Sequence, residues 1–168
     1  SQGFVADAIC SYLAEASVMD VSGSAHSGVL SREDLAAAMR GARRNPRLPD
    51  AVLEGLDVTA DAAEALAGAS LAVLAVPMQP LRAAVAAMPD LPPVVAVAKG
   101  VESASRLLPL EVLAELRPGL PTAVLSGPNF AHEVAAGLPA AAVLASSDPV
   151  LRAGGGGSLG KNDVGFAM

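Results

Sequence analysis

The stretch that most constrains the fold is Val94-Val-Ala-Val-Ala-Lys-Gly100, a short apolar run that ends on a lysine and a glycine. Five consecutive small or β-branched residues read as a strand buried on both faces rather than on one. A lysine cannot remain inside such a strand unpaired, so Lys99 is expected to emerge at its carboxyl end. In an open α/β sheet that edge is where ligands bind. A solvated lysine that merely starts a loop is the alternative, and the flanking sequence has to decide between them.

Similar runs recur at regular intervals. LAVLAV (71–76), TAVLS (122–126) and AAAVLA (140–145) read as further strands. Between them lie helical patterns over 60–68, about 80–88, roughly 105–116 and near 130–136. Gly68 closes the first of these, Pro77-Met-Gln-Pro80 turns into the second, and Gly127-Pro128 makes the turn after TAVLS. Upstream, Ser31-Arg-Glu-Asp opens a helix through about Arg44, with Ser31 as cap and acids in the first turn, and Asn45-Pro46 stops it. Asp57-Val-Thr59 is expected as a short strand. Residues 4–16 place Val5, Ile9, Tyr12 and Leu13 on one side at helical spacing, and Val18 to Val21 form a candidate strand. Strand and helix alternate with short links, which predicts a doubly wound, mainly parallel α/β sheet.

Composition narrows the function classes. The 168 residues suffice for one domain with a sizeable core, and 52% are hydrophobic but only 2% aromatic, which suits helices packed closely on a sheet. A net charge of −6 argues against general binding to nucleic acid or an anionic membrane. A bound phosphate therefore needs a local site of a few cations and backbone N–H groups. Cys10 is the single cysteine, so no intrachain disulfide can form and a reducing compartment is expected. The first twenty residues hold Asp7, Glu15 and Asp20 and no Lys or Arg, unlike a signal peptide. No apolar run reaches the length of a membrane span, and a cytoplasmic location is the expectation.

Some residues invite a catalytic reading that their context does not support. His26 lies in the Ser/Gly loop of residues 17–28 without a second His, Cys or carboxylate at ligand spacing, so no metal is expected there. His132 reads as a surface histidine and Glu133 as an acid in the first turn of a helix. By contrast, Ser1-Gln-Gly-Phe-Val-Ala6 matches the last part of a G-x-G-x-x-G/A turn, with Ser in the first glycine place. A helix behind such a turn offers free N–H groups to a pyrophosphate.

The order of these motifs resembles the NAD(P)-dependent glycerol-3-phosphate dehydrogenases of bacterial type. The matching pieces are residues 31–49, 60–82, 94–102 and 123–146, in which V-P-x-Q, A-K-G and S-G-P-x-F-A-x-E followed by G-L-P occur in the family's order. The resemblance implies a Rossmann-like domain that binds NAD or NADP. Its reaction would interconvert dihydroxyacetone phosphate and sn-glycerol 3-phosphate, feeding phospholipid synthesis. Position by position, it implies that Gly3, Phe4 and Ala6 bind pyrophosphate. Arg32 would face the adenosine ribose, where it can pair with a 2′-phosphate, although a solvated helix-start arginine fits the same spacing. Val76 and Pro77 would border the nicotinamide, and Lys99 would contact cofactor and substrate. Gly127 and Asn129 would lie on the substrate side, with Ala131 against the cofactor. A homodimer of the full-length protein is compatible with the family.

The departures concern the ends. The first strand and first glycine of the dinucleotide fold do not precede Ser1, the stretch 45–49 lacks the tyrosine usual before Leu-Pro, and the family's helical C-terminal domain has no counterpart of adequate length. The expected organisation is a domain over 1–153 and a Gly-rich linker and tail over 154–168, as in a fragment. Two readings of the tail stay open beside it. Residues 164–168, VGFAM, could supply the missing first strand of a circular permutant, beside 71–76. Otherwise GGSLGKN imitates a family segment and makes Lys161 a second catalytic lysine. A non-catalytic nucleotide-binding or interaction domain, or another dehydrogenase of the 6-phosphogluconate or UDP-glucose dehydrogenase group, are the rival functions.

Overall fold

The computed structural model describes residues 32–45, 48–52, 58–69, 71–127, 140–154 and 164–167. The apolar runs become a five-stranded sheet, β3 (Ala72–Leu74), β4 (Val94–Ala96), β5 (Thr122–Ser126), β6 (Ala140–Ser146) and β7 (Val164–Ala167), in that spatial order. Among the described residues, helix α1 (Arg32–Ala42) and a two-stranded antiparallel sheet of β1 (Arg44–Asn45) and β2 (Leu48–Val52) come before it in the chain. The remaining helices are α2 (Ala62–Leu66), α3 (Met78–Ala87), α4 (Pro109–Leu116) and α5 (Pro149–Gly154).

Side chains alternate across a strand, so a strand that is apolar at every position needs cover on both faces. Here it has that cover. Ala72, Leu74, Val94 and Ala96 face a core with Leu81 and Val85 of α3 and Val112 and Leu113 of α4. Val73, Val95, Ala123 and Leu144 face the other way, with Leu151 of α5 packed against them. Leu74, Leu81 and Leu113 are fully buried, and each such side chain contributes about 1.5–3 kcal/mol relative to an exposed one. Arg117 reaches back from the end of α4 and donates from Nη2 to the carbonyls of Val85 and Met88 at 3.0 and 2.7 Å. It thus adds a side-chain donor to carbonyls at the end of α3, where Val85 O also accepts from Met88 N at 3.3 Å. Leu35, Ala36 and Met39 of α1 form a small separate cluster with Val58.

The expected mainly parallel sheet is present, with β3, β4 and β5 parallel and in register through Ala72, Val94 and Thr122. β6 departs from that pattern and runs antiparallel to β5, pairing Ser126 with Val143. The chain leaves β5 and re-enters at the same edge of the sheet, so it folds back rather than crossing over. β7 then pairs parallel to β6, Ala140 with Val164 through Val143 with Ala167. Residues 164–167 therefore belong to the sheet and not to a loose tail. They lie at the β6 edge, at the opposite end of the sheet from β3, where the permuted arrangement would have put them.

Several boundaries shift for identifiable reasons. The helix expected from 105 starts at Pro109, because Glu102 and Leu107 are joined by a backbone bond of 2.9 Å and Arg106 N donates to Glu102 O at 2.8 Å. Pro109 suits a first helical position, and the Glu111 carboxylate caps the Leu108 N–H at 2.7 Å. Asp57-Val-Thr59 makes no strand in its described part. Val58 is buried against α1 instead, and its carbonyl accepts from Arg40 Nη1 at 2.7 Å. The stretch after Asn45 forms a strand where only a helix stop was expected. Helix α2 is shorter than 60–68. Asp61 caps it by accepting from Ala63 N and Glu64 N, and Gly68 follows it at φ 74°.

The core and the charged contact at the loop after β4 give two expected outcomes. Leu81→Ala lowers unfolding free energy by about 2–5 kcal/mol in urea titration, because a fully buried leucine leaves a cavity among packed helices and strands. Glu102, 7% exposed, is held below the usual glutamate range by hydrogen bonds from Arg82 and then from Ser105. Its lowered folded value means stability that is present above the ordinary glutamate pKa near 4.5 and is lost as pH falls through the folded value. Glu102→Gln flattens that acid limb in stability measured against pH, while the wild type keeps it.

Candidate functional site

The carboxyl ends of β3, β4 and β5 lie side by side, as the parallel register requires. The last rung between β3 and β4 is the bond from Val97 N to Leu74 O at 2.9 Å. Beyond it the two chains part, one into α3 and one into the loop that carries Lys99. Lys99 is exposed, as its charge demands. Its Nζ donates to the carbonyl of Gly127, at the end of β5, at 3.2 Å. An ammonium has three donors, so this bond leaves two for oxygen atoms of a ligand.

Two glycines shape this edge. Gly100 follows Lys99 at φ 95°, a left-handed conformation that glycine adopts without steric cost, and it turns the chain off the strand axis. Gly127 is required for a different reason. A Cβ there would stand 2.4 Å from the carbonyl oxygen of Ala141 and 2.9 Å from the Cα of Ala142, so only glycine lets β5 end so close to β6. Lys99 and Gly127, both of which the resemblance puts on the substrate side, touch through this one bond.

The remaining candidates divide. Pro77 is exposed where β3 gives way to α3. Val76 is 2% exposed and sits in the core cluster with Leu74, Met78 and Leu81, so its side chain is a packing group rather than a lining group. Arg32 is the first residue of α1, whose first turn also holds Glu33 and Asp34. Gly3, Phe4, Ala6, Asn129, Ala131 and Lys161 lie outside the described residues, as do His26, His132 and Glu133. Among the described residues there is no cluster of three His, Cys, Asp or Glu side chains suited to a metal ion, and no helix long and apolar enough to cross a membrane.

Three residues that sequence reading left out of the site stand directly beside it. Gln79 and Arg82 lie three apart on α3, hence on one helix face, and both reach the loop after Lys99. Gln79 Nε2 donates to Val101 O at 3.0 Å, and Ser103 N donates to Gln79 Oε1 at 3.0 Å. Arg82 binds the Glu102 carboxylate through Nε at 3.0 and 3.1 Å and Nη2 at 2.9 Å. Ser105 also donates to that carboxylate, and Arg82 makes a second ion pair with Glu115 at 2.9 Å. Both partners push the guanidinium pKa further up from its ordinary value, so its charge is constant at any working pH. The signal in the sequence was the pair of polar residues at helical spacing within an otherwise apolar helix, opposite an acid two residues past the lysine-glycine turn.

An arrangement of this kind fits an anionic, extended ligand laid across the strand ends. The exposed cation is Lys99, backbone groups come close at Gly127, and α3 brings no carboxylate in its first turn to oppose an anion. The described part of this edge therefore offers an exposed ammonium and closely approaching backbone to an anion.

Comparison with known proteins bears on the family and the fold. Residues 11–151 match the family described as NAD-dependent glycerol-3-phosphate dehydrogenase N-terminus. A glycerol-3-phosphate dehydrogenase (NAD(P)+) of Gluconobacter oxydans is 48% identical over 114 residues, covering 65% of this chain and 34% of that protein. One of Acidiphilium cryptum is 50% identical over 115 residues, covering 67% of this chain and 35% of its own length. The chain thus spans about a third of the length of the curated relatives it matches. The crystal structure of glycerol-3-phosphate dehydrogenase from Coxiella burnetii superposes with a TM-score of 0.72 at 26% identity, covering 93% of this chain and 50% of that one. The fold is accordingly Rossmann-like, and the chain belongs to the NAD-dependent glycerol-3-phosphate dehydrogenase N-terminus family.

Proposed function

We propose that this chain is the dinucleotide-binding portion of an oxidoreductase that interconverts dihydroxyacetone phosphate and sn-glycerol 3-phosphate with NAD(H) or NADP(H), in the service of phospholipid synthesis. The observation that carries the reading is the Lys99 ammonium at the carboxyl edge, 3.2 Å from Gly127 O, between the ends of two parallel strands. The names of the relatives in Gluconobacter oxydans and Acidiphilium cryptum support it.

When bound, the nicotinamide supplies or accepts the hydride. The work of this chain is to orient the partners and to handle charge. As a carbonyl is reduced, negative charge grows on its oxygen, and an ammonium aimed there lowers the barrier most in a site closed to water. Lys99 has the donors for this, and the close approach permitted by Gly127 lets backbone groups hold the substrate beside it. By resemblance, Asn129 joins Gly127 on the substrate side. Gly3, Phe4, Ala6, Pro77 and Ala131 serve the cofactor, and Lys161 acts as the second lysine. The backbone at Val76 belongs to the same border. A cytoplasmic location and a homodimer of the full-length protein go with this reading, and the net charge of −6 supports the absence of a nucleic-acid partner.

The rival reading is dinucleotide binding without turnover. Absorbance at the nicotinamide band with dihydroxyacetone phosphate and NADH or NADPH separates the two. Turnover supports the enzyme, and a bound cofactor without turnover supports the binding domain. Lys99→Ala is expected to abolish turnover while NADH affinity stays within about twofold, since the lost group acts on charge that develops in the reaction. Unchanged turnover rules out the role given to Lys99. Arg32→Ala is expected to weaken NADPH about tenfold more than NADH in a fluorescence titration, the size of a lost charge-assisted contact to a 2′-phosphate. Equal losses for both cofactors assign Arg32 to the start of α1 alone.

A further inference from the structure

Glu102 is buried to 7% exposure although its neighbours Val101, Ser103 and Ser105 are all exposed. Folding a carboxylate inward from an exposed loop is unfavourable unless its oxygens are fully answered. Here Arg82 and Ser105 answer them, and Gln79 pairs with the backbone on either side, at Val101 O and Ser103 N, as a neighbouring strand would. One helix face thus holds three consecutive loop residues by five hydrogen bonds from two side chains.

What this clamp holds begins just downstream of Lys99. The sheet ladder ends at Val97, and Gly100, the most permissive residue type, stands at φ 95° between Lys99 and the clamp. Without an anchor beyond Gly100, the backbone of Lys99 would be tied at one side only. The lysine stem is long and rotamer-rich, so its ammonium can be delivered to one place only if its backbone is fixed. We infer that Gln79 and Arg82 are positioning residues, which place the Lys99 ammonium against its ligand by clamping residues 101–103 to α3. This rests on the reading of Lys99 as a ligand contact.

The experiment measures acetylation of Lys99 by mass spectrometry in the full chain, against an added lysine peptide as internal standard, with and without NADH plus dihydroxyacetone phosphate. In the wild type the two ligands are expected to slow Lys99 acetylation about tenfold, as for an amine held against them. Gln79→Ala removes both backbone bonds, and Arg82→Lys keeps the charge but not the two-pronged geometry. Both variants are expected to fold, shown by an unchanged circular dichroism spectrum, and to bind NADH within about twofold of the wild type while ligand protection of Lys99 drops to about twofold or less. If either variant keeps wild-type protection, the positioning role is overturned while the reading of Lys99 stands. If NADH affinity falls in step with protection, the clamp is structural and the role is also overturned. If the wild type shows no protection at all, Lys99 is not a ligand contact, and the inference falls with that reading.

Discussion

A sheet buried on both faces leaves its polar chemistry nowhere to go but the edges. In β3 and β4 every described side chain is apolar and buried, and alternate residues pack against α3 and α4 on one face and toward Leu151 of α5 on the other. The first charged side chain after β4 is Lys99, and it can be solvated only past the last rung of the ladder. The same parallel register that buries the strands brings the ends of β4 and β5 together, and so sets Lys99 beside Gly127. Core packing and site geometry are consequences of one constraint.

The link between core and site runs through α3. Its buried side, Met78, Leu81 and Val85, fills the core, whereas Gln79 and Arg82 turn toward the loop after β4. The helix is therefore a ruler between the two: its depth on the sheet sets where Gln79 and Arg82 stand, and they set where residues 101–103 stand. The Arg82–Glu115 contact lies at an exposed rim and contributes little, but the Glu102 end is enclosed, where loss of one partner would leave a carboxylate without an answer.

Much of this was legible from the chain. The strand centres at 72–74, 94–96 and 122–126 follow from runs too uniformly apolar for a one-sided sheet, and Gly68 marks a helix end by its own backbone preference. The lysine at the strand end followed from the cost of burying it. Other features depend on partners distant in sequence. The antiparallel return of β6 and the edge position of β7 arise from pairing, which short apolar runs such as AAAV and VGFA do not specify. The resemblance puts Val76 at the nicotinamide border, but its side chain turns into the core beside Met78. The polar pair Gln79 and Arg82 marks a face of α3, but its partners lie 20 or more positions away, and the helix pattern does not say which segment they meet.

The sequence by itself determined the α/β class and the emergence of Lys99 and Gly100 at a strand end, because burial of charge and backbone permissiveness are properties of single residues and short runs; the family followed from the order of its motifs. Tertiary structure alone decided which carbonyl the lysine meets, which helix holds its loop, and why position 127 must lack a side chain. Those are matters of distance between segments: the 3.2 Å from Nζ to Gly127 O and the 2.4 Å a Cβ would leave to Ala141 exist only once β4, β5 and β6 are aligned.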